Sequence, residues 1–314
     1  MAEPETVAAI DCGTNSVRLL VLEGTGRELD RRMKVTRLGE GVRRTGRLSD
    51  AAIRRTLGVL SEYRTVMDAY GVGPVAASAT AAARDAANSS AFLAPATELV
   101  GAPLTVLTGS QEAALSFAGA TAGLPRGEVL TVFDVGGGST EMASGQPGRP
   151  PESVVSLPLG CVRLTEGLLR DDPPTGLQMD QARREATDLV GGAVAAHPEL
   201  ARSSGLIGLA GTVTTLAALV LGLDRYDRQR VHRSVLTLEQ VREWTRRLAS
   251  QPAAGRTGYG VMEPGRADVI VGGAIVVEAV MRATGSDRCT VSEADILDGL
   301  AATLLRVGNA AGGT

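Results

Sequence analysis

A short unit that occurs twice constrains this chain more than anything else in it. Residues 7–11 read as a buried strand ending on Asp11, Cys12-Gly13-Thr14-Asn15-Ser16 as a polar tip, and residues 17–22 as a returning strand. The plan starts again at residue 128. A strand ends on Asp134, Val135-Gly136-Gly137-Gly138-Ser139 makes the turn, and residues 140–143 begin a second return. Weak repetition of a whole unit predicts two similar domains.

Strands and helices alternate around these hairpins, as in an α/β chain. Residues 31–37 are expected to add an edge strand. Ser49 is placed to cap a helix reaching about residue 70, with Ile53, Leu57, Leu60 and Met67 on one face. A strand over 74–78, a short helix near 88–100 interrupted by Pro95, a strand over 104–107 and a helix over 110–120 complete a first domain, residues 1–120. In the second, residues 121–296, a third Gly/Thr turn covers Ala210-Gly211-Thr212-Val213-Thr214-Thr215. It follows a strand over 206–209 and leads into an apolar helix. A closing helix is expected over 292–307, opened by Ser292, with residues 297–314 packing back onto the first domain.

Composition narrows the chemistry. The chain has 314 residues and a net charge of −3, so it lacks the basic footprint of a nucleic-acid binder. An anionic ligand must then be held by local features. Cys12, Cys161 and Cys289 are odd in number and widely spaced, which fits reduced thiols better than a disulfide or zinc framework. With only His197 and His232, histidine-based catalysis and a histidine metal centre are disfavoured. The acidic N-terminus precedes no apolar signal core, and no stretch has the length of a membrane span. A cytoplasmic protein with no membrane partner is expected.

The two Asp-led tips have a shared physical use. Gly13, Gly136, Gly137 and Gly138 let the backbone approach an anion, and successive amides can point at phosphate oxygens. Thr14, Asn15, Ser16 and Ser139 add side-chain donors. Asp11 and Asp134 can orient a hydrated divalent cation. One such tip would read as an ordinary tight turn. Two, each after a buried strand, point to phosphate binding.

These stretches resemble the phosphate loops of the superfamily that holds actin, sugar kinases and heat-shock chaperone ATPases. Their wording is similar to the exopolyphosphatase/guanosine pentaphosphate phosphatase (Ppx/GppA) family. Four further stretches agree in order along the chain: residues 79–88 around Arg84-Asp-Ala-Ala-Asn88, Thr108-Gly-Ser-Gln-Glu112-Ala, Gly211-Thr-Val-Thr-Thr215, and Arg266-Ala-Asp268 with Gly272-Gly-Ala274. The resemblance implies two actin-like (ribonuclease H-like) α/β domains facing each other across a phosphate-binding cleft.

It also implies roles. Glu112 matches the general base for an attacking water, and Glu141 a second catalytic acid that helps hold metal with Asp11 and Asp134. Arg84 matches a phosphate-contacting arginine. Residues 13–16 and 136–139 would cradle phosphate, with Gly211 and Thr212 on the far wall. The implied cofactor is Mg²⁺, with Mn²⁺ as the alternative and a monovalent cation such as K⁺ beside it; a homodimer is the implied assembly. Release of orthophosphate from inorganic polyphosphate is the expected activity. Guanosine pentaphosphate hydrolysis to the tetraphosphate is the alternative, and a non-enzymatic alarmone or phosphate sensor the alternative of another class. A kinase on the same fold rests on fold-level analogy alone. The chain departs from the family pattern at Ala114, where an arginine is common, and at Cys12 and Thr14. It also ends after the two-domain core, without the helical domains that longer members use to grip long chains, so short polyphosphate is expected.

Overall fold

The computed structural model describes residues 5–263 and 265–311. The acidic residues at the extreme N-terminus and the tail of the expected closing helix, residues 312–314, lie outside the described residues. The chain divides into two compact units, Met1–Gly119 with Ile296–Thr314, and Ala120–Asp295.

The first unit is built on five strands: β1 (Val7–Cys12), β2 (Ser16–Leu22), β3 (Glu28–Val35), β4 (Val75–Ala79) and β5 (Leu104–Val106). Their order is β3-β2-β1-β4-β5. β1 runs antiparallel to β2 and parallel to β4. Accompanying them before the chain leaves this unit are α1 (Val42–Thr45), α2 (Asp50–Ala69), α3 (Ala81–Asp85), α4 (Ser90–Val100) and α5 (Gly109–Ala120). Both faces of the sheet are covered, which is why β1 is buried throughout and apolar at every position but Asp11. Ile10, Val17 and Leu19 join Ile53, Leu60, Tyr63 and Phe92 on one face. Val7, Ala9 and Leu20 meet Ile296, Leu297 and Leu300 on the other.

The second unit carries β6 (Leu130–Val135), β7 (Thr140–Gly145), β8 (Ser153–Leu157), β9 (Gly205–Leu209), β10 (Val235–Thr237) and β11 (Arg288–Val291). The order is β10-β11-β9-β6-β7-β8. Taken from β8, the series β8-β7-β6-β9-β11 repeats β3-β2-β1-β4-β5 with the same directions, and β10 is an added edge. Its helices are α6 (Cys161–Leu168), α7 (Gly176–Ala196), α8 (Ala210–Val220), α9 (Arg228–Val231), α10 (Leu238–Ala249), α11 (Ala253–Arg256) and α12 (Ile270–Ala283). α12 is buried from Ile270 to Met281, so it shows no polar face. The last helix, α13 (Ile296–Ala311), belongs to the first unit. Among the described residues no helix is long and apolar enough to cross a membrane.

Some local expectations change. Pro95 does not interrupt α4; it sits inside it, where burial of Phe92, Ala96 and Val100 along one stripe outweighs one lost backbone bond. Residues 210–215 are not a turn ahead of a helix. They are the first turns of α8, entered through Ala210 at φ 67°. Ser292 does not open the closing helix, because its amide still donates to Gly208 of β9 and its hydroxyl to Ala294. Ser49 caps α2 as expected, accepting from the Ala52 amide at 3.2 Å.

Candidate active site

The two tips close in the same way. The amide of Gly13 donates to the carbonyl of Ser16 at 2.9 Å, and the amide of Gly136 to that of Ser139 at 3.0 Å. A Cβ on either glycine would lie 3.1 Å from that same carbonyl oxygen.

In each tip the carbonyls are then taken by a later segment. Thr14 O accepts from Gly39 N, and Asn15 O from Thr36 N and Arg37 N, at 2.9–3.0 Å. Gly136 O accepts from Cys161 N, and Gly137 O from Val162 N and Arg163 N, over the same distances. Arg163 Nε adds a bond to Gly138 O at 2.8 Å. With the carbonyls turned inward, the amides of Thr14, Asn15, Gly137 and Gly138 have no acceptor among the described residues. Pairs of adjacent unclaimed amides are an anion-binding concavity. Asn15 Oδ1 is also buried without a partner.

The rungs behind the tips differ. Asp11 stands opposite Arg18 in the ladder, and Asp134 opposite Glu141. Asp11 is buried, with Arg18 at 2.7 Å on Oδ2 and the Ser78 hydroxyl donating to Oδ1 at 3.0 Å. Both of its oxygens are therefore engaged by protein. Asp134 and Glu141 are also buried, and Ser156 Oγ donates to Glu141 Oε1 at 2.8 Å.

Glu112 and Arg84 come together in the first unit. Thr108 and Gln111 form a reciprocal cap at the start of α5: Thr108 N donates to Gln111 Oε1 at 2.9 Å and Gln111 N to Thr108 Oγ1 at 3.2 Å. This pins the first turn, where Glu112 sits. Arg84, at the end of α3, donates from one nitrogen to Leu107 O at 2.9 Å and to Glu112 Oε2 at 3.3 Å. Through Thr80 N, which donates to Cys12 O at 3.2 Å, the same segment is tied to the first tip. Ala114 lies two residues beyond Glu112 on α5.

In the second unit Gly211 opens α8 beneath a guanidinium. A Cβ there would lie 2.5 Å from an Arg266 nitrogen, so glycine is what lets Arg266 lie over the helix start. Arg266 donates to Thr215 Oγ1 at 2.8 Å, and burial pushes its pKa down against the pull of Tyr226. Thr212 is buried, its hydroxyl directed at Gly273 of α12. Arg18 and Arg163 are residues that inspection of motifs alone passes over, and Arg266, though it stands in a matched stretch, is given no role by it. Arg18 gives one signal, as the lone charge in the apolar run of β2.

The donor set bears on a cation. Among the described residues no group of three or more His, Cys, Asp or Glu could hold a metal. Two carboxylates on one rung, Asp134 and Glu141, fit Mg²⁺, which keeps several waters and shares its remaining positions with substrate phosphates. The all-oxygen character also argues against zinc. The three thiols are buried and free, with burial pushing Cys161 up to about 11 and Cys289 to about 12. They stay protonated and are not nucleophiles near neutral pH.

Strand order and repeated units define a two-unit α/β protein of the actin-like class. The profile of the Ppx/GppA phosphatase family matches residues 23–306, and the chain belongs to that family. A protein named Exopolyphosphatase 2 from Mycobacterium tuberculosis (strain ATCC 25618 / H37Rv) is 42% identical, over 95% of this chain and 98% of that protein. The crystal structure of an exopolyphosphatase-like protein matches with a TM-score of 0.89 at 34% identity, over 96% of this chain and 99% of that one. That of the Aquifex aeolicus member of the Ppx/GppA family matches with a TM-score of 0.80 at 32% identity, over 97% and 99%.

Proposed function

We propose that this chain is an exopolyphosphatase that releases terminal orthophosphate from short inorganic polyphosphate, with water as nucleophile and Mg²⁺ as cofactor. The observation that carries the reading is the Glu112–Arg84 pair on a pinned helix start, tied through α3 to a tip with two unclaimed amides. The relative named Exopolyphosphatase 2 supports the choice of substrate.

Amides of the first tip donate to non-bridging phosphate oxygens, where they stabilise charge without moving. Glu112 Oε2 accepts a proton from water as its oxygen attacks the terminal phosphorus. The bridging P–O bond breaks, and the electron pair leaves with the shortened chain. Arg84 orients the Glu112 carboxylate and adds positive charge beside the phosphate. Asp134 and Glu141, on one rung of the second unit, are the residues that would hold Mg²⁺, and the ion would supply neutralisation of phosphate charge. Asp11, engaged by Arg18 and Ser78, keeps the first tip in shape and meets a cation only through water.

The test is orthophosphate release from tripolyphosphate, longer polyphosphate and guanosine pentaphosphate by wild type and Glu112→Gln, with Mg²⁺ varied. Loss of about 10²–10⁴-fold in the variant is expected for a removed general base. A variant as fast as wild type would sink the assignment of Glu112. Faster turnover of guanosine pentaphosphate than of any polyphosphate would move the substrate, and no dependence on Mg²⁺ would remove the cofactor.

A further inference from the structure

In a chain of net charge −3, residues 36–48 concentrate the opposite sign: Arg37, Arg43, Arg44 and Arg47 against Glu40 alone. Glu40 is itself held by Arg55 at 3.0 Å. This segment is also the backing of the first tip, since its amides at Thr36, Arg37 and Gly39 take the carbonyls of Asn15 and Thr14. A Cβ at Gly39 would collide with the Thr14 methyl group and lie 3.1 Å from the Ala82 Cβ of α3. The far end is fastened too. Gly46 O accepts from Ala87 N at 2.9 Å, and Leu48 exchanges bonds with the Asn88 side chain at 2.8 and 3.0 Å.

Between these fastenings the chain makes the single turn α1, bounded by Gly41 at φ 73° and Gly46 at φ 66°. Val42 is buried beneath it, and Arg43, Arg44 and Arg47 are exposed. Among the described residues the guanidinium groups of Arg44 and Arg47 have no carboxylate partner. From Gly39 to Arg43 the chain spans no more than about 15 Å, at 3.8 Å per residue. A rigid, outward-facing set of planar cations thus continues from the tip that offers amides to an anion, and guanidinium suits phosphate oxygens.

We propose that the arginine turn 41–47 binds the phosphates of a polyphosphate that follow those held at the first tip. The enzyme then recognises a longer stretch of its substrate than it hydrolyses. The inference rests on the phosphohydrolase reading above for the terminal phosphate, and it extends the substrate from short chains to those that reach past the first tip. It also gives a reason to prefer polyphosphate. Behind its 5'-triphosphate, guanosine pentaphosphate presents a nucleoside that interrupts the chain and carries its other two phosphates on the 3' side, where polyphosphate continues as an unbroken run of anions.

The experiment compares wild type, Arg44→Gln/Arg47→Gln and Arg44→Lys/Arg47→Lys with tripolyphosphate, long polyphosphate and guanosine pentaphosphate across ionic strength. Because the side chains are exposed, melting temperatures should agree and serve as the folding control. The Gln pair is expected to raise KM for long polyphosphate roughly tenfold and to flatten its salt dependence. KM for tripolyphosphate and for guanosine pentaphosphate should move by less than about twofold, with kcat constant, and the Lys pair should restore most of the loss. An equal rise for tripolyphosphate, or no rise for either polyphosphate, overturns the proposal. So does a single-stranded RNA that competes as strongly as long polyphosphate, which would make the turn a general polyanion surface. Direct titration of long polyphosphate into Glu112→Gln, with and without the Gln pair, separates the two readings. Arginine-dependent binding by a wild type that releases no phosphate fails the hydrolase reading alone. Normal release with binding indifferent to the arginines fails the turn alone.

Discussion

The two glycine tips share a closing bond and a pair of outward amides, and they part at one rung. Behind the first, Asp11 faces Arg18 and the charge is answered within the protein. Behind the second, Asp134 faces Glu141, two carboxylates on adjacent strands. One backbone device carries an acid–base rung in one unit and a rung of two acids in the other. The turn is common to both; what differs is the residue seven places after the aspartate.

That contrast can be broken most severely at Arg18. Arg18→Met leaves Asp11 buried with an unanswered charge, and a loss of about 3–5 kcal/mol is expected in denaturant unfolding. Glu141→Gln should cost far less, because like charges on opposite positions oppose folding. An equal loss from both would erase the distinction between the rungs. The next test transplants one rung into the other. Glu141→Arg recreates the pairing of Asp11, and phosphate release should fall by about 10²–10³-fold and cease to respond to Mg²⁺. Retained Mg²⁺ dependence would show that the cation is held elsewhere.

A smaller difference concerns what lies behind each tip. A Cβ at Gly160 would sit 2.5 Å from Gly137 O, a backbone atom with nowhere to go, whereas at Gly39 it meets a side-chain methyl. Gly160→Ala is expected to cost roughly 1–3 kcal/mol of stability, the usual scale for overpacking. Gly39→Ala should cost less, and Thr14→Ser should recover most of it in a double variant followed by thermal melting. The smallest effect is expected at the thiols. With Cys161 held near 11 and Cys289 near 12 by burial, iodoacetamide at neutral pH should label neither and leave activity unchanged.

The halves of this molecule were unequally legible. The opening hairpins could be read because a buried strand, an aspartate and a glycine tip are local signals, and so was the Ser49 cap. Glu112 and Arg84 were legible one at a time through their motifs. Their pairing was not, because it depends on Glu112 and α3 meeting across 28 positions of sequence. Nothing in residues 36–39 or 161–163 announces that their amides restrain the tips; that is a matter of tertiary approach, not of propensity. The start of α8 was misread because Gly and Thr commonly mark turns, whereas here one αL residue, Ala210, delivers the strand directly into a helix. α12 offered no period to read, since a helix buried on every side lacks the polar face that would reveal it.

The tips Asp-Cys-Gly-Thr-Asn-Ser and Asp-Val-Gly-Gly-Gly-Ser agree at only three places, the aspartate, the first glycine and the serine. The groups they turn outward belong to the main chain, which every amino acid except proline carries. Mutational drift at codons 14 and 15 among small residues therefore leaves those amides in place, while a proline at either codon deletes one. Binding built this way can survive wide divergence between duplicated halves, because what has to be inherited is the course of the backbone and not the identity of the side chains along it.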